Sequence, residues 1–473
     1  MTVLVHWFRR DLRVEDNTAL SRAARDADRV VTVFVLDDHY ARDPRVGPAR
    51  FAFLRSSLED LAASLANAGG RLVLRKGPAA LALPALVAET GASAVYANAE
   101  IGPYPERRDR EAAAALEAAG SSLRLFADEL LVAPDAIATD AGDPYTVYTP
   151  FSRKWLAAEK AAVAPAPGDL AAPELPSVPL ARVGAWRDLP DDPRAPRGGA
   201  REARSGLDRF FASAAARYAE DRDRPDLPGT TRLSPHLHFG TISARTIRAA
   251  AEAAWAGAPP RARKSLEKLV LELAWRDFYH HVLFHFPRVA VESFRPEFER
   301  VAWRSEPAGL EAWKAGRTGF PFVDAGMREL STTHWMHNRA RMAAASFLTK
   351  DLHAHWKVGE AWFEHELADA DLANNNGGWQ WAAGSGTDAA PYFRVFNPVL
   401  QGRRFDPDGA YVRRFLPELS RVPRAKIHEP WTMTPDEQKA AGCRIGTDYP
   451  APILDHAKER EVALSMLRDS SGR

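Results

Sequence analysis

Residues Val3–Asp38, VLVHWFRRDLRVEDNTALSRAARDADRVVTVFVLDD, place one amphipathic helical pattern between two short runs of Val, Leu and aromatic residues. The alternation continues through RLVLRKG, AVYANAEI and LRLFADELLV, with helical patterns at Asn17–Asp28, Arg50–Ala68, Leu81–Thr90 and Arg107–Ala119. Strand and helix in turn imply a parallel sheet covered on both faces. In open sheets of this kind ligands sit at the carboxyl ends of the strands, here Phe34 to Asp38 and Asn98 to Tyr104. No GxGxxG follows the first strand and no Walker-type GxxxxGK motif occurs, so the usual dinucleotide and ATP signatures are missing.

Beyond this region the pattern changes twice. Residues 161–199 are rich in Pro, Ala and Gly and show no sustained period, as a connection between domains does. From about Glu202 onward, segments such as ARKSLEKLVLELAWRDFYHHVLF and WKVGEAWFEHEL carry apolar residues at i, i+3 and i+4. The expected fold is a Rossmann-like α/β parallel-sheet domain over 1–130, a linker over 131–201, and a larger all-α domain over 202–473.

Composition bounds the function. A chain of 473 residues needs no staple for stability, and Cys443, its one cysteine, excludes an internal disulfide and a thiolate metal cluster. A reducing, cytoplasmic setting is expected, since the start MTVLVHWFRRDLRVED is unlike a signal peptide and no apolar run approaches a membrane span. With 63 Lys+Arg against 62 Asp+Glu, any nucleic-acid binding must use a local basic face. Several of the 13 Trp residues lie beside Arg, Asn or Asp, which suits stacking on a flat ring as well as ordinary burial.

Four stretches combine polar and aromatic residues where the surroundings are apolar. Asp369–Phe393, DADLANNNGGWQWAAGSGTDAAPYF, holds acids, three successive amides and two tryptophans, and its Asn, Gly and Pro391 are expected to interrupt regular structure. On a helix through LELAWRDFYHH, Glu272, Trp275, Arg276 and Tyr279 share one face, and WMHNRARM gives a second such face with Trp335, Asn338, Arg341 and Met342. GTTRLSPHLHFG, Gly229–Gly240, surrounds Arg232 with three hydroxyls before a helix start, a pattern fit for a diphosphate and also common in helix caps. No metal-ligating Cys/His pattern or GxSxG elbow occurs.

Together WFRRDLRVEDN, TRLSPHLHFG, ELAWRDFYHH, GRTGFPFVDAGMREL, WMHNRARM and DADLANNNGGWQWAAGSGTDAAPYFRVFNP resemble the DNA photolyase and cryptochrome family over nearly the whole chain. The resemblance implies FAD held by Tyr218, Thr230, Thr231, Arg232, Leu233, Ser234, Glu272, Arg276, Asn338, Arg341, Asp369, Asp371 and Asn375. Thr230, Thr231 and Ser234 would meet the diphosphate, Arg341 and Asp369 would pair beside the isoalloxazine, and Asn375 would lie next to its N5. Trp379, Trp356 and Trp303 match an electron relay that reduces the flavin in light. Trp275, Trp381, Glu272 and Met342 match the pocket for a cyclobutane pyrimidine dimer in UV-damaged DNA, with Arg222 and Arg339 at the phosphates.

The implied reaction is light-driven electron transfer from reduced FAD to the dimer, by a monomer without a metal. Asn375, where plant cryptochromes carry aspartate and animal ones cysteine, points to repair, and Asn338 with Met342 argues against a (6-4) lesion. A short tail past the family core, ending at Arg473, favours the enzyme over a cryptochrome-like photoreceptor that signals through a partner. For an antenna, NAEIGPYPERRD and GPARFAFL resemble binders of 8-hydroxy-5-deazaflavin, with Arg50, Glu100 and Ile101 as contacts. His238 and SPHLHFG keep 5,10-methenyltetrahydrofolate as the alternative.

Overall fold

The computed structural model describes residues 1–183, 192–304, 309–388 and 394–471. The end of the Asp369–Phe393 stretch, including Pro391, lies outside the described residues. Five strands, β1 (Val3–Phe8), β2 (Arg29–Leu36), β3 (Leu72–Lys76), β4 (Ala94–Asn98) and β5 (Leu123–Phe126), form one parallel sheet in the order β3-β2-β1-β4-β5. Residues of β1 and β2 alternate between faces, as the period of two requires. Leu4, Phe8, Val30 and Phe34 join one apolar cluster, and Val5, Trp7, Val31 and Val33 join the other. Helices α1 (Thr18–Asp26), α2 (Pro48–Asn67), α3 (Ala79–Thr90) and α4 (Pro103–Ala118) alternate with the strands. The expected helices are present, with α2 to α4 each starting two to four residues earlier than the pattern indicated. The strand order reverses beside β1, where this architecture opens its crevice.

The Pro-rich connection is more than a tether. Leu170 and Val183 are fully buried in the core of the α/β layer, Leu170 bonds to Val30 and Ala68 through its backbone, and the Val178 N–H donates to the Leu74 carbonyl. The isolated apolar residues among the prolines fasten it there. Just before it, α5 (Tyr148–Ala157) buries Trp155, whose indole N–H donates to Asp277 at 2.8 Å.

By compactness the chain forms two units: 1–216 with 231–287 and 368–373, and 217–230 with 288–367 and 374–473. The first adds α6 (Ala200–Ser213), α7 (Ala244–Trp255) and α8 (Pro260–His285) to the sheet. The second is helical, with α9 (Pro321–Thr333), α10 (Asn338–Ser346) and α11 (Trp356–Glu366), most of α12 (Leu372–Ala383), and α13 (His456–Ser471). Among the described residues no helix is long and apolar enough to cross a membrane.

Candidate functional site

In the first unit, the chain around Asp371 is held by charge. Asp371 lies 3.4 Å from the His280 Nε2 and 3.4 Å from the Arg10 guanidinium, and Glu129 lies 3.4 Å from His280 and 3.2 Å from Arg10. The other His280 nitrogen, Nδ1, meets the Arg276 carbonyl one turn back on α8. Burial works against a charged His280, but Asp371 and Glu129 outweigh it and push the imidazole up to about 9. His280 first, then His238 and Arg10, hold Asp371 well below the usual carboxylate range despite its burial. Glu129, His280 and Asp371 stand close enough to ligate a metal, yet Arg10 and Arg276 and the protonated imidazole already supply the positive charge.

On α8 the expected shared face is real but partly committed. Glu272 is 3.5 Å from Lys268, and Trp275 stacks on Tyr148 with ring centroids 3.5 Å apart and planes 7° from parallel. Arg276 donates to the Glu129 carbonyl at 2.8 Å. Tyr148 was not a sequence candidate, because only the packing of α5 on α8 brings it to Trp275. In the Gly229–Gly240 run, Thr231 caps the Leu233 N–H, Arg232 adopts a left-handed φ of 52°, and Ser234 opens a short helix in an exposed position. Thr230 is half-buried and belongs to the second unit.

The three antenna candidates all have internal partners. Arg50 is buried and donates to the Arg45 and Ala370 carbonyls, Glu100 pairs with Arg10 and Arg108, and the Ile101 N–H donates to Glu129. A cavity of about 20 Å³ lies at the carboxyl ends of β1 and β4, lined by Arg10, Asn98, Glu100 and Glu129 among others. That volume suits a water molecule.

In the second unit, α12 is a continuous helix through the amides and the glycine pair, contrary to the expected interruption. Glycine in a helix is unfavourable by about 1 kcal/mol relative to alanine, and side-chain packing offsets this. Asn376 and Gln380, one turn apart, point inward. Asn376 donates to the Val289 carbonyl and Glu360, and Gln380 donates to the Val289 and Glu292 carbonyls and to Asn376. Asn374, Asn375, Gly378 and Trp381 form the opposite, more open face. A Cβ on Gly378 would meet nothing within 4 Å. Asn375 donates from Nδ2 to the Glu360 carbonyl at 3.1 Å, so its oxygen is the end left to accept.

Helix α10 groups three expected residues, since the Met342 sulfur accepts from both Asn338 and Arg339 at 3.7 Å. Arg339 also grips Asp223 with two bonds of 3.0 and 2.9 Å and covers the Phe405 ring, while Arg222 lies 3.6 Å from Asp223 and over Tyr218. Two cations thus share one carboxylate. Arg341 donates to the Met336 carbonyl. Trp381 is half-buried with Phe396 beside it.

The tryptophans occupy one region of this unit. Trp379 and Trp356 are buried, and Trp379 lies against Gly359, one turn along α11 from Trp356. Trp303, half-buried, has its ring 5.7 Å from His355, which in turn is 5.5 Å from Trp356. His355 was not anticipated; it is adjacent to Trp356 in sequence, but only the fold seats it against Trp303.

Residues 4–171 match the family described as DNA photolyase, and residues 269–469 match the FAD binding domain of DNA photolyase. Over 481 aligned residues the chain is 42% identical to a deoxyribodipyrimidine photo-lyase of Halobacterium salinarum, covering 98% of this chain and 99% of the relative. This chain belongs to the DNA photolyase family. Its fold is that of a bacterial class III photolyase crystal structure from Agrobacterium tumefaciens, with TM-score 0.94, 39% identity and coverage of 100% and 98% of the two chains. A cryptochrome from Synechocystis is also similar, with TM-score 0.90, 30% identity and coverage of 98% and 99%. The photolyase family thus accounts for both the five-stranded parallel sheet and the helical remainder.

An FAD group suits the residues present. The open amide and glycine face of α12 would let a flat ring approach the helix backbone, and Asn375 would offer it an oriented acceptor. In this photolyase Gly359→Ala is expected to force the Trp379 ring aside, because an added Cβ would overlap that ring and the Leu348 side chain. Overpacking of this kind destabilises by about 1–3 kcal/mol. Thermal unfolding and near-UV circular dichroism check it, and an unchanged tryptophan signal would contradict the packing described.

Proposed function

We infer that this protein repairs cyclobutane pyrimidine dimers in UV-damaged DNA under light. Reduced FAD, when bound, supplies one electron to the dimer on illumination and recovers it after the ring has opened. The observation that carries the reading is the identity to deoxyribodipyrimidine photo-lyase over the whole chain rather than over one domain. In this reading residues 1–130 form the antenna module and 202–473 the flavin module.

The chain's own residues then have separate tasks. Tyr218, Thr230, Thr231, Arg232, Leu233, Ser234, Arg276, Asn338, Arg341, Asp369 and Asp371 hold the flavin. Asn375 tunes it, and Trp379, Trp356 and Trp303 feed it electrons. Trp275, Trp381 and Met342 enclose the flipped dimer, and Glu272 hydrogen-bonds it. Flipping an unpaired or damaged base out of a duplex costs on the order of a few kcal/mol, a result general to photolyases.

The deciding experiment is illumination of the purified, reduced protein with dimer-containing oligonucleotide. Light-dependent loss of dimers is expected, and its absence with FAD bound would favour the cryptochrome-like photoreceptor. Arg222 and Arg339 are read as phosphate contacts, so Arg339→Ala is expected to lower the slope of log K against log salt by about 0.9. A slope equal to that of the parent would remove Arg339 from the DNA surface. The antenna is read as 8-hydroxy-5-deazaflavin through Arg50, Glu100 and Ile101, with 5,10-methenyltetrahydrofolate as the competing pigment. Absorption of the extracted chromophore separates the two.

A further inference from the structure

The structure assigns Ser293 and Glu299 as a proton outlet for Trp356. The inference rests on reading Trp356 as the middle member of the electron relay. Trp356 is fully buried, and its indole Nε1–H has the Ser293 hydroxyl as acceptor at 3.3 Å. Ser293 is itself 1% exposed. The Glu299 carboxylate accepts the Ser293 backbone N–H at 2.6 Å, which sets it beside the same residue's hydroxyl. Glu299 is exposed, so Ser293 stands between a buried indole and a carboxylate that meets solvent.

Oxidation makes an indole N–H a far stronger acid than the neutral ring. When Trp356 passes one electron to oxidised Trp379, its Nε1 proton moves to the Ser293 oxygen as the Ser293 hydroxyl proton moves to Glu299. The products are a neutral Trp356 indolyl radical, an unchanged serine and a neutral carboxylic acid, which releases its proton to water. The electron has gone toward the photoexcited flavin, the oxidant of the family reaction, and the cycle closes when an external reductant returns one electron and water returns one proton. Burial raises the Glu299 carboxyl, but the hydrogen bonding of Ser293 and the Lys357 ammonium outweigh it, so the acceptor is ionised at rest.

Local charge favours this exit. The Lys357 ammonium lies 5.6 Å from the Trp356 ring centre and disfavours a lasting cation there. His355 touches both Trp356 and Trp303 and is kept neutral chiefly by burial and then by Lys357, with Glu299 opposing. A neutral radical on Trp356 is not repelled by Lys357, and it cannot take the electron back from the flavin without regaining its proton. Charge separation is thereby prolonged.

Transient absorption of the flavin-loaded Trp303→Phe protein isolates Trp356 as the last donor. A neutral indolyl radical is expected, formed with a solvent deuterium isotope effect. Adding Glu299→Gln or Ser293→Ala should slow its formation at least 10-fold, since a positioned base contributes on the order of 100-fold or more. Glu299 is exposed and Gln keeps a carbonyl oxygen for the Ser293 N–H, so Glu299→Gln should fold normally. If Trp356→Phe leaves photoreduction intact, the relay assignment falls and the outlet with it. If Trp356→Phe abolishes photoreduction but Glu299→Gln leaves the deprotonation rate unchanged, the outlet alone is overturned.

Discussion

Trp379→Phe is expected to slow light-driven reduction of the bound flavin at least about 100-fold, equivalent to roughly 2.7 kcal/mol in barrier. Phenylalanine is not oxidised under these conditions, and in the proposed relay the substitution therefore removes the ring through which Trp356 and Trp303 reach the flavin. Trp379 is 2% exposed, packed edge-on against Phe363 at 4.9 Å and against Gly359 of α11, the helix that begins with Trp356. Phe363 cannot replace it as a donor. The phenyl ring fits within the indole site, so the fold should lose only the packing of the missing atoms, about 1 kcal/mol or somewhat more.

The control separates supply of electrons from repair itself. Protein reduced chemically before illumination needs no relay, so Trp379→Phe should then repair dimers at close to the parent rate. Loss of both photoreduction and pre-reduced repair would show that Trp379 shapes the flavin site instead of feeding it. Retention of photoreduction would require a different route into the flavin.

How much of this was legible in sequence depends on the range of the interaction. The strands of the sheet follow from patterns within four to eight residues, and the two apolar faces of β1 are visible in VLVHWF alone. The grouping of Asn338, Arg339 and Met342 is equally local, being a matter of one helical turn. By contrast, α12 runs unbroken through Asn374–Gly378 because Asn376 and Gln380 find carbonyls near Val289, some 90 residues away. Nothing in the stretch itself announces that. The same holds for Tyr148 on Trp275, for Ser293 under Trp356, and for Leu170 pinned into the α/β core. Glu100 was readable as a charged residue near a strand end and Arg50 as part of a resembling motif, but not as groups already bonded to Arg10 and Ala370.

Asp371→Asn is expected to be the most damaging single change in the first unit. The carboxylate lies within 3.4 Å of both His280 and Arg10 and 3.9 Å from His238. An amide keeps the shape but removes the charge, leaving the buried His280 with Glu129 as its remaining carboxylate. Breaking a buried charge pair by removing one partner destabilises by about 3–5 kcal/mol. Flavin retention should fall as well, if Asp371 holds the cofactor as read.

The dependence on pH gives the test its direction. His280 is raised in the folded state from 6.5 to about 9, so its ion pairing contributes fully below 6.5 and is lost as pH rises through 9. Asp371 is lowered, so its contribution is present above about 3.8 and disappears as pH falls. The penalty for Asp371→Asn should therefore be largest between pH 4 and 6.5 and shrink toward pH 9. Adding His280→Gln should recover part of the loss, because the buried imidazolium, left with Glu129 alone, is then gone. Equal penalties at pH 6 and 9, measured by denaturant unfolding, would mean that the Asp371 side chain serves by shape alone. A double variant no more stable than Asp371→Asn would mean that Arg10, not His280, is the partner that decides.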